Sequence, residues 1–532
     1  MERTRWVRHL YVLLGIILTA VAVILVGAIG DSTTSVSGIV VDETGAPVAG
    51  AIVREKTKAP STTTTEDGTF TLVGLVPGIE IVVTAWDEGY YPSGETVTPP
   101  AESITITLVL HPAEDNPDYA WYTSMADPDV PVGCGHCMVA FPQWVDNAHG
   151  QSGVNPRFFS MYNGTDVTGT IMMGDGYQDD FPGTAGNCAT CHAPIAAANN
   201  PFTANMNNLT GVATEGVACE YCHKIAEIHL NPATGLPYDN APGVVSYALN
   251  RPPQNTHMFY GPFDDVTRRV CYLELEKESE FCAACHQFSF WGTPIYESFR
   301  EWQESPYAAE GTQCQACHMA PTGVEYFVYP EKGGLLRDPN GIASHLQPGA
   351  ADVALLQDTV ELTLDVIGAD DSAVTAEVSI TNTKAGHHVP TDYPGRQMIL
   401  VVSAVDGHGT ALTLTEGPVL PEWCGTEAGL PGVAYAKLLR DVETGDMPVV
   451  TYWKQALIES DNRLAAFATD RTSYRFSVPK GMDEITVRAV VVFRRLFQDL
   501  AEAKAWDMPD ILMEEAEAAL SLGATNRSGT AD

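Results

Sequence analysis

Cys219-Glu-Tyr-Cys222-His223 and Cys282-Ala-Ala-Cys285-His286 are the stretches on which the reading of this chain of 532 residues turns, because each sets two thiols three residues apart and an imidazole directly behind the second. Cys188-Ala-Thr-Cys191-His192 and Cys314-Gln-Ala-Cys317-His318 repeat the pattern. Such a pentapeptide is the covalent attachment signature of c-type haem: the thiols add to the haem vinyl groups and the imidazole becomes the proximal iron ligand. Zinc also binds Cys-x-x-Cys pairs, but a zinc site does not require a His after the second Cys every time. Four repeats within about 130 residues therefore predict four haems c.

A fifth spacing is altered. Cys134-Gly-His-Cys137 is followed by Met138 where the proximal His belongs. Two readings compete: a fifth haem with Met138 or a distant His on the iron, or no haem and a pair of cysteines left as thiols or a disulfide. Met ligation raises a haem's potential. Of the twelve cysteines, only Cys271 and Cys424 lie outside the pairs. They form a disulfide or stay as two buried thiols; the spacing does not decide.

The chain begins with Arg3, Arg5 and Arg8 and then runs apolar from Leu10 to Ile29. About 20 apolar residues suffice to span a bilayer as a helix, and the leading arginines place its start in the cytoplasm. Residues 1–32 are read as an uncleaved membrane anchor, with cleavage near Val26-Gly-Ala28 as the alternative. The remainder is then extracytoplasmic, at a bacterial or archaeal cell membrane, which suits covalent haem attachment. Asp and Glu total 67 against 29 Lys and Arg, a net charge of −38. That charge excludes nucleic acid as a partner and steers a basic electron-transfer protein toward the chain. A solubility role alone would also account for it.

Residues 33–112 read as short strands: Val36 to Val41, a turn at Asp42 to Pro47, Val48 to Arg54, a hairpin signal at Asp67-Gly68, then Ile81 to Ala85 and Ile104 to Leu110. Residues 113–350 hold every Cys-x-x-Cys and are dense in Gly, Pro and Asn, so short helices are predicted, at Cys282 onward and over Glu297 to Glu304. Residues 351–522 return to period-two alternation, as in Val360-Glu-Leu-Thr-Leu-Asp-Val366, and predict a β-sandwich. Leu496 to Leu520 reads as a closing helix broken near Pro509, and 523–532 as a disordered tail. The fold class is multidomain: transmembrane helix, small β-sandwich, mostly irregular and α multihaem region, C-terminal β-sandwich with a final helix.

The segment Ser37-Gly-Ile-Val-Val-Asp-Glu-Thr-Gly-Ala-Pro-Val-Ala-Gly-Ala-Ile-Val53, with Asp67-Gly-Thr-Phe70 and Leu75-Val-Pro77-Gly78, resembles the carboxypeptidase regulatory-like domain. That resemblance implies a transthyretin-like sandwich without catalytic residues, serving as a spacer or docking module. Trp144-Val-Asp-Asn-Ala-His149, Cys219-Glu-Tyr-Cys-His-Lys-Ile225, His257-Met-Phe-Tyr-Gly-Pro262, Trp302-Gln-Glu-Ser305 and Cys314-Gln-Ala-Cys-His-Met319 form a further series. It resembles the multihaem cytochromes c related to the tetrahaem cytochrome of ammonia oxidisers, in the superfamily of pentahaem nitrite reductase and hydroxylamine oxidoreductase. Asn382-Thr-Lys-Ala-Gly-His387-His388-Val-Pro-Thr391 is similar to a Gly-His-x-x-Pro-Thr-Gly element of these cytochromes, with Asp392 in the place of the last Gly.

The resemblance implies bis-histidine irons, with His149, His257, His345 and His387 at the distal positions and His388 and His229 as further candidates. His9, His111, His136 and His408 stand in less suitable places. The predicted iron ligands are then His192, His223, His286, His318, His149, His257, His345, His387 and Met138. The attaching thiols are Cys188, Cys191, Cys219, Cys222, Cys282, Cys285, Cys314, Cys317 and, if a fifth haem is present, Cys134 and Cys137. The expected function is electron transfer to or from a redox protein or quinone-linked membrane complex, with no catalytic residue assigned. An oxidoreductase acting on a small nitrogen or sulfur compound at one open iron is the alternative.

Overall fold

The computed structural model describes residues 34–125, 133–369, 372–482 and 484–522. The apolar run Leu10 to Ile29 lies outside them; among the described residues no helix is long and apolar enough to cross a membrane. The chain divides into two compact units, one of residues up to 114 with 255–273, the other of 115–254 with 274 onward.

The first unit is a β-sandwich. One sheet orders Thr69–Leu75, Thr34–Val41 and Ala101–Thr107; the other orders Ser61–Thr63, Ile52–Glu55, Ile81–Trp86 and Ser93–Val97. Phe70, Leu72 and Leu75 point inward from a strand whose other positions are exposed. They meet Val36, Val40, Val53, Val83, Ile106 and Leu108 in the core. Alternate side chains of a strand face opposite ways, so one face of each strand supplies this core. The Asp67-Gly68 turn is present, but its flanking strands belong to different sheets, so it is a crossover rather than a hairpin. Gly68 takes φ +75°, and a Cβ there would lie 2.6 Å from the Val40 carbonyl oxygen.

Segment 255–273 completes this unit from far along the chain. Tyr272 meets Trp86 edge to face at 4.7 Å between ring centres. Arg54 pairs with Asp264 at 2.7 Å, and the Thr57 amide donates to the Asp265 carboxylate at 2.6 Å. The strands Phe259–Gly261 and Val270–Tyr272 run parallel within the segment.

In the second unit the C-terminal part is a sandwich of two antiparallel sheets. One orders Val360–Ala369, Ala373–Asn382, Thr469–Ser477 and Leu414–Glu416; the other orders Gly432–Tyr435, Gln397–Asp406, Glu484–Arg494 and Ile511–Ser521. Val374, Ala376, Val378 and Ile380 of one sheet pack against Met398, Leu400, Val402, Val487, Ala489 and Val491 of the other. The closing helix expected over Leu496 to Leu520 is corrected: only Gln498–Ala503 is helical, and Ile511–Ser521 is an edge strand registered on Glu484–Arg494. Its Met, Glu, Ala and Leu favour helix locally, but the open sheet edge and the burial of Met513 override that propensity.

Between residues 133 and 350 the helices are short. Glu280–His286 and Cys314–His318 each contain a whole Cys-x-x-Cys-His, while Ala189–His192 is preceded directly by Cys188 and Cys219–Cys222 is followed directly by His223. Thiols at i and i+3 fall on one helical face, where one macrocycle can take both.

Candidate haem-binding site

Small side chains make the cradle. Ala189, Ala193, Ala218, Ala283 and Ala284, each within or beside an attachment motif, are fully buried. They belong to one apolar cluster with Trp144, Tyr162, Tyr221, Tyr247, Phe299 and Trp302. Gly243 approaches so closely that a Cβ would stand 2.9 Å from the Cys191 sulfur. Flat aromatic walls and methyl-sized floors suit a porphyrin, whose faces need apolar packing.

The motifs adjoin one another. The thiols of Cys191 and Cys285, of Cys282 and Cys314, and of Cys134 and Cys219 lie near enough to shift one another's ionisation. Cys222 interacts electrostatically with both Cys282 and Cys285. Sharing a proton with Cys282 lowers the Cys314 thiol to about 7, while burial pushes Cys188 and Cys222 up to about 12. Once joined to haem, these sulfurs are thioethers and no longer titrate. Among the described residues no three His, Cys, Asp or Glu side chains converge as a metal-holding group, so the thiols do not assemble the four-ligand set of a structural zinc.

The imidazoles are arranged in facing pairs. The ring centres of His149 and His286 are 6.3 Å apart, and those of His318 and His387 are also 6.3 Å apart. A metal–imidazole bond of about 2 Å on each side, plus about 1 Å from each nitrogen to its ring centre, fills that gap. His345 interacts with the proximal-type His223. Burial holds His149, His192 and His345 down at about 4, so all three are neutral at pH 7, the form that binds a metal.

Hydrogen bonds at Nδ1 fix which nitrogen faces inward. His149 Nδ1 donates to Gln347 Oε1 at 2.5 Å, His223 to Glu276 Oε1 at 3.0 Å and His286 to Asp392 Oδ2 at 3.2 Å. His318 Nδ1 donates to the Pro348 carbonyl at 2.7 Å and His387 to the His388 carbonyl at 2.9 Å. Each bond leaves Nε2 for the iron and raises its basicity. Asp392 also accepts from the Glu297 and Ser298 amides. Burial acts to raise its carboxyl, but the His286 bond and the charges of His286 and Arg396 outweigh it and hold it down at about 2. Sequence reasoning missed Gln347 and Glu276, which carry no motif. Asp392 had a signal: it departs from the Gly of the resembled element, and it adopts φ +59°.

The other candidates lie elsewhere. His257 is in the first unit, where the Tyr91 hydroxyl donates to its carbonyl. His229 is exposed. His388 faces Glu301 at 3.5 Å, not a motif imidazole. Phe158 stacks on His192 at 4.2 Å, and among the described residues no second imidazole ring pairs with it. In the altered motif, Cys134–His136 forms a single 3-10 turn, and the Met138 amide donates to the Phe327 carbonyl at 3.0 Å. Cys271 and Cys424 are buried thiols in different units.

Known proteins bear on this arrangement. Residues 35–111 match the carboxypeptidase regulatory-like domain family, and residues 169–224 match the family cytochrome c554 and c-prime. A penta-heme cytochrome c552 from Thermochromatium tepidum shares the fold over 73 % of this chain and 97 % of its own, at 21 % identity and a TM-score of 0.52. The β-glucuronidase 2 of Bacteroides uniformis, a calcium-binding mutant, aligns with 30 % of this chain and 13 % of its own, at 11 % identity and a TM-score of 0.14, too low to carry an argument. No curated protein sequence matches the chain. The N-terminal domain is thus carboxypeptidase regulatory-like, and the larger part has the likeness of a multihaem c-type cytochrome.

Proposed function

We propose, from a chain with the fold of a penta-haem cytochrome behind a carboxypeptidase regulatory-like domain, that this protein carries electrons through haems c on the outer side of a cell membrane. Leu10 to Ile29 serves as the anchor. Covalently bound haem supplies a one-electron Fe(III)/Fe(II) couple. Four attachment motifs are whole, at Cys188/Cys191, Cys219/Cys222, Cys282/Cys285 and Cys314/Cys317, and Cys134/Cys137 is a fifth site if Met138 or another residue serves the iron.

The observation that carries this reading is the continuity of the attachment motifs. Neighbouring thiols couple electrostatically from Cys191 to Cys285, Cys282 to Cys314 and Cys134 to Cys219, and the four whole motifs share one apolar cluster. Groups attached to neighbouring sulfurs lie close enough for electron exchange without bond chemistry. The chain's own residues hold imidazoles neutral, orient them through Gln347, Glu276, Asp392 and Pro348, and exclude water with the aromatic walls. The acidic surface suits a basic redox protein, and the anchor suits delivery from or to a quinone-linked membrane complex. Intact mass of the purified protein tests the reading: a gain of four or five haems is expected. A chain that matures with none overturns it.

A second reading rests on His192, whose ring stacks on Phe158 and, among the described residues, shows no ring contact of the kind His286 makes with His149 and His318 with His387. An open iron there would admit a small nitrogen or sulfur compound and make the protein an oxidoreductase. Carbon monoxide added to the reduced protein separates the readings: a spectral shift in one haem supports an open iron, and an unchanged spectrum leaves electron transfer alone.

A further inference from the structure

One end of the N-terminal sandwich is apolar where a soluble domain would be polar. Val73, Val76 and Ile79 are 67, 61 and 56 % exposed. They lie at the end of strand Thr69–Leu75 and in the loop leading to Ile81–Trp86. Pro77 and Gly78 between them are exposed too, and the Gly78 amide donates to the Pro99 carbonyl, which ties this loop to the one before Ala101–Thr107. Three bulky apolar side chains displayed on the end of a strand and the loop that follows it are grouped rather than scattered over the surface.

Strand register fixes which end this is. Thr34 pairs with Leu75, and Ile39 pairs with Thr69. The loop at 76–80 is therefore beside Thr34, where the chain enters the domain, and the Asp42 to Ala46 turn is at the far end. In the sequence the apolar run closes at Ile29, five residues before Thr34. Five residue steps reach at most about 18 Å, so Thr34 cannot stand far from the end of that run.

We propose that Val73, Val76 and Ile79 rest in the headgroup region of the bilayer that Leu10 to Ile29 enters, so that the sandwich is seated on the lipid surface rather than swinging on a tether. This rests on reading Leu10 to Ile29 as an anchor. The contact is apolar, not electrostatic: Glu80 and Glu102 are exposed at the same end and carry the wrong charge for anionic headgroups.

The test uses the full-length haem-loaded protein in vesicles of phosphatidylcholine and phosphatidylglycerol. Benzoylphenylalanine is placed at Val76 or, as the control at the far end, at Thr44, and lipid adducts are measured by mass spectrometry after irradiation. Adducts several-fold more abundant from position 76 than from 44 are expected, and Val73→Asp with Ile79→Asp should bring position 76 down to the control level. Equal yields in protein that floats with the vesicles overturn the seating and leave the anchor standing. A protein that does not float, with a mature N-terminus near Gly27 to Asp31, overturns the anchor and the seating together.

Discussion

The rings of His149 and His286 face each other at 86°, nearly crossed. His318 and His387 keep the same 6.3 Å separation at 18°, nearly aligned. Crossed imidazole planes leave an iron's two π-type d orbitals close in energy; aligned planes split them. Frozen-solution electron paramagnetic resonance of the oxidised protein should therefore show two kinds of low-spin iron, one strongly anisotropic and one rhombic. A single kind would mean that these pairs do not clasp irons as described.

His387→Ala should leave every haem attached, since attachment uses the Cys-x-x-Cys-His motif, and should convert one iron to high spin with loss of the rhombic signal. His388→Ala should keep the spin state, because that ring faces Glu301 instead. Haem quantitation and optical spectra check both. Unchanged spectra in the two variants would remove the β-sandwich from the coordination scheme.

Asp392→Asn keeps an acceptor for His286 but removes its charge. The imidazole becomes a weaker donor, and the ferric state loses stabilisation. One reduction potential should rise while the haem count stays fixed. A spectropotentiometric titration in which no potential moves would make Asp392 a purely structural residue.

Met138→His distinguishes the two states of the altered motif. If the site is empty, intact mass should rise from four haems to five. If it already holds haem through Met138, the count should stay at five and one potential should fall, because thioether ligation favours the ferrous state more than imidazole does.

Glu301 is 2 % exposed, binds Arg463 at 2.7 Å and accepts from the His388 amide and the Thr391 hydroxyl. Glu301→Leu strands these partners and should destabilise the second unit by about 3–5 kcal/mol. Glu301→Gln keeps part of the bonding and should cost less. Thermal melting followed by circular dichroism checks the order of the two variants.

The residues explain what could be read in advance. Cys-x-x-Cys-His states its chemistry in five letters, and alternation such as Val360 to Val366 states a strand, so both were legible. Ile511–Ser521 was not, because its Glu and Ala suit a helix until the strand Glu484–Arg494 offers it a row of hydrogen bonds. The pairing of His149 with His286 was also hidden: 137 residues separate them, and only folding sets their distance. Gln347 looked like any surface polar residue until it was found on His149 Nδ1.

On the export proposed above, the insertion of 255–273 into the first unit sets an order of events as the chain emerges. Trp86 waits for Tyr272, and Arg54 waits for Asp264. Those partners follow Cys188 to His192 and Cys219 to His223 in the chain and so emerge after them. The domain made first is therefore not the domain finished first, and two haem attachment sites are presented to the maturation machinery while the sandwich is still open.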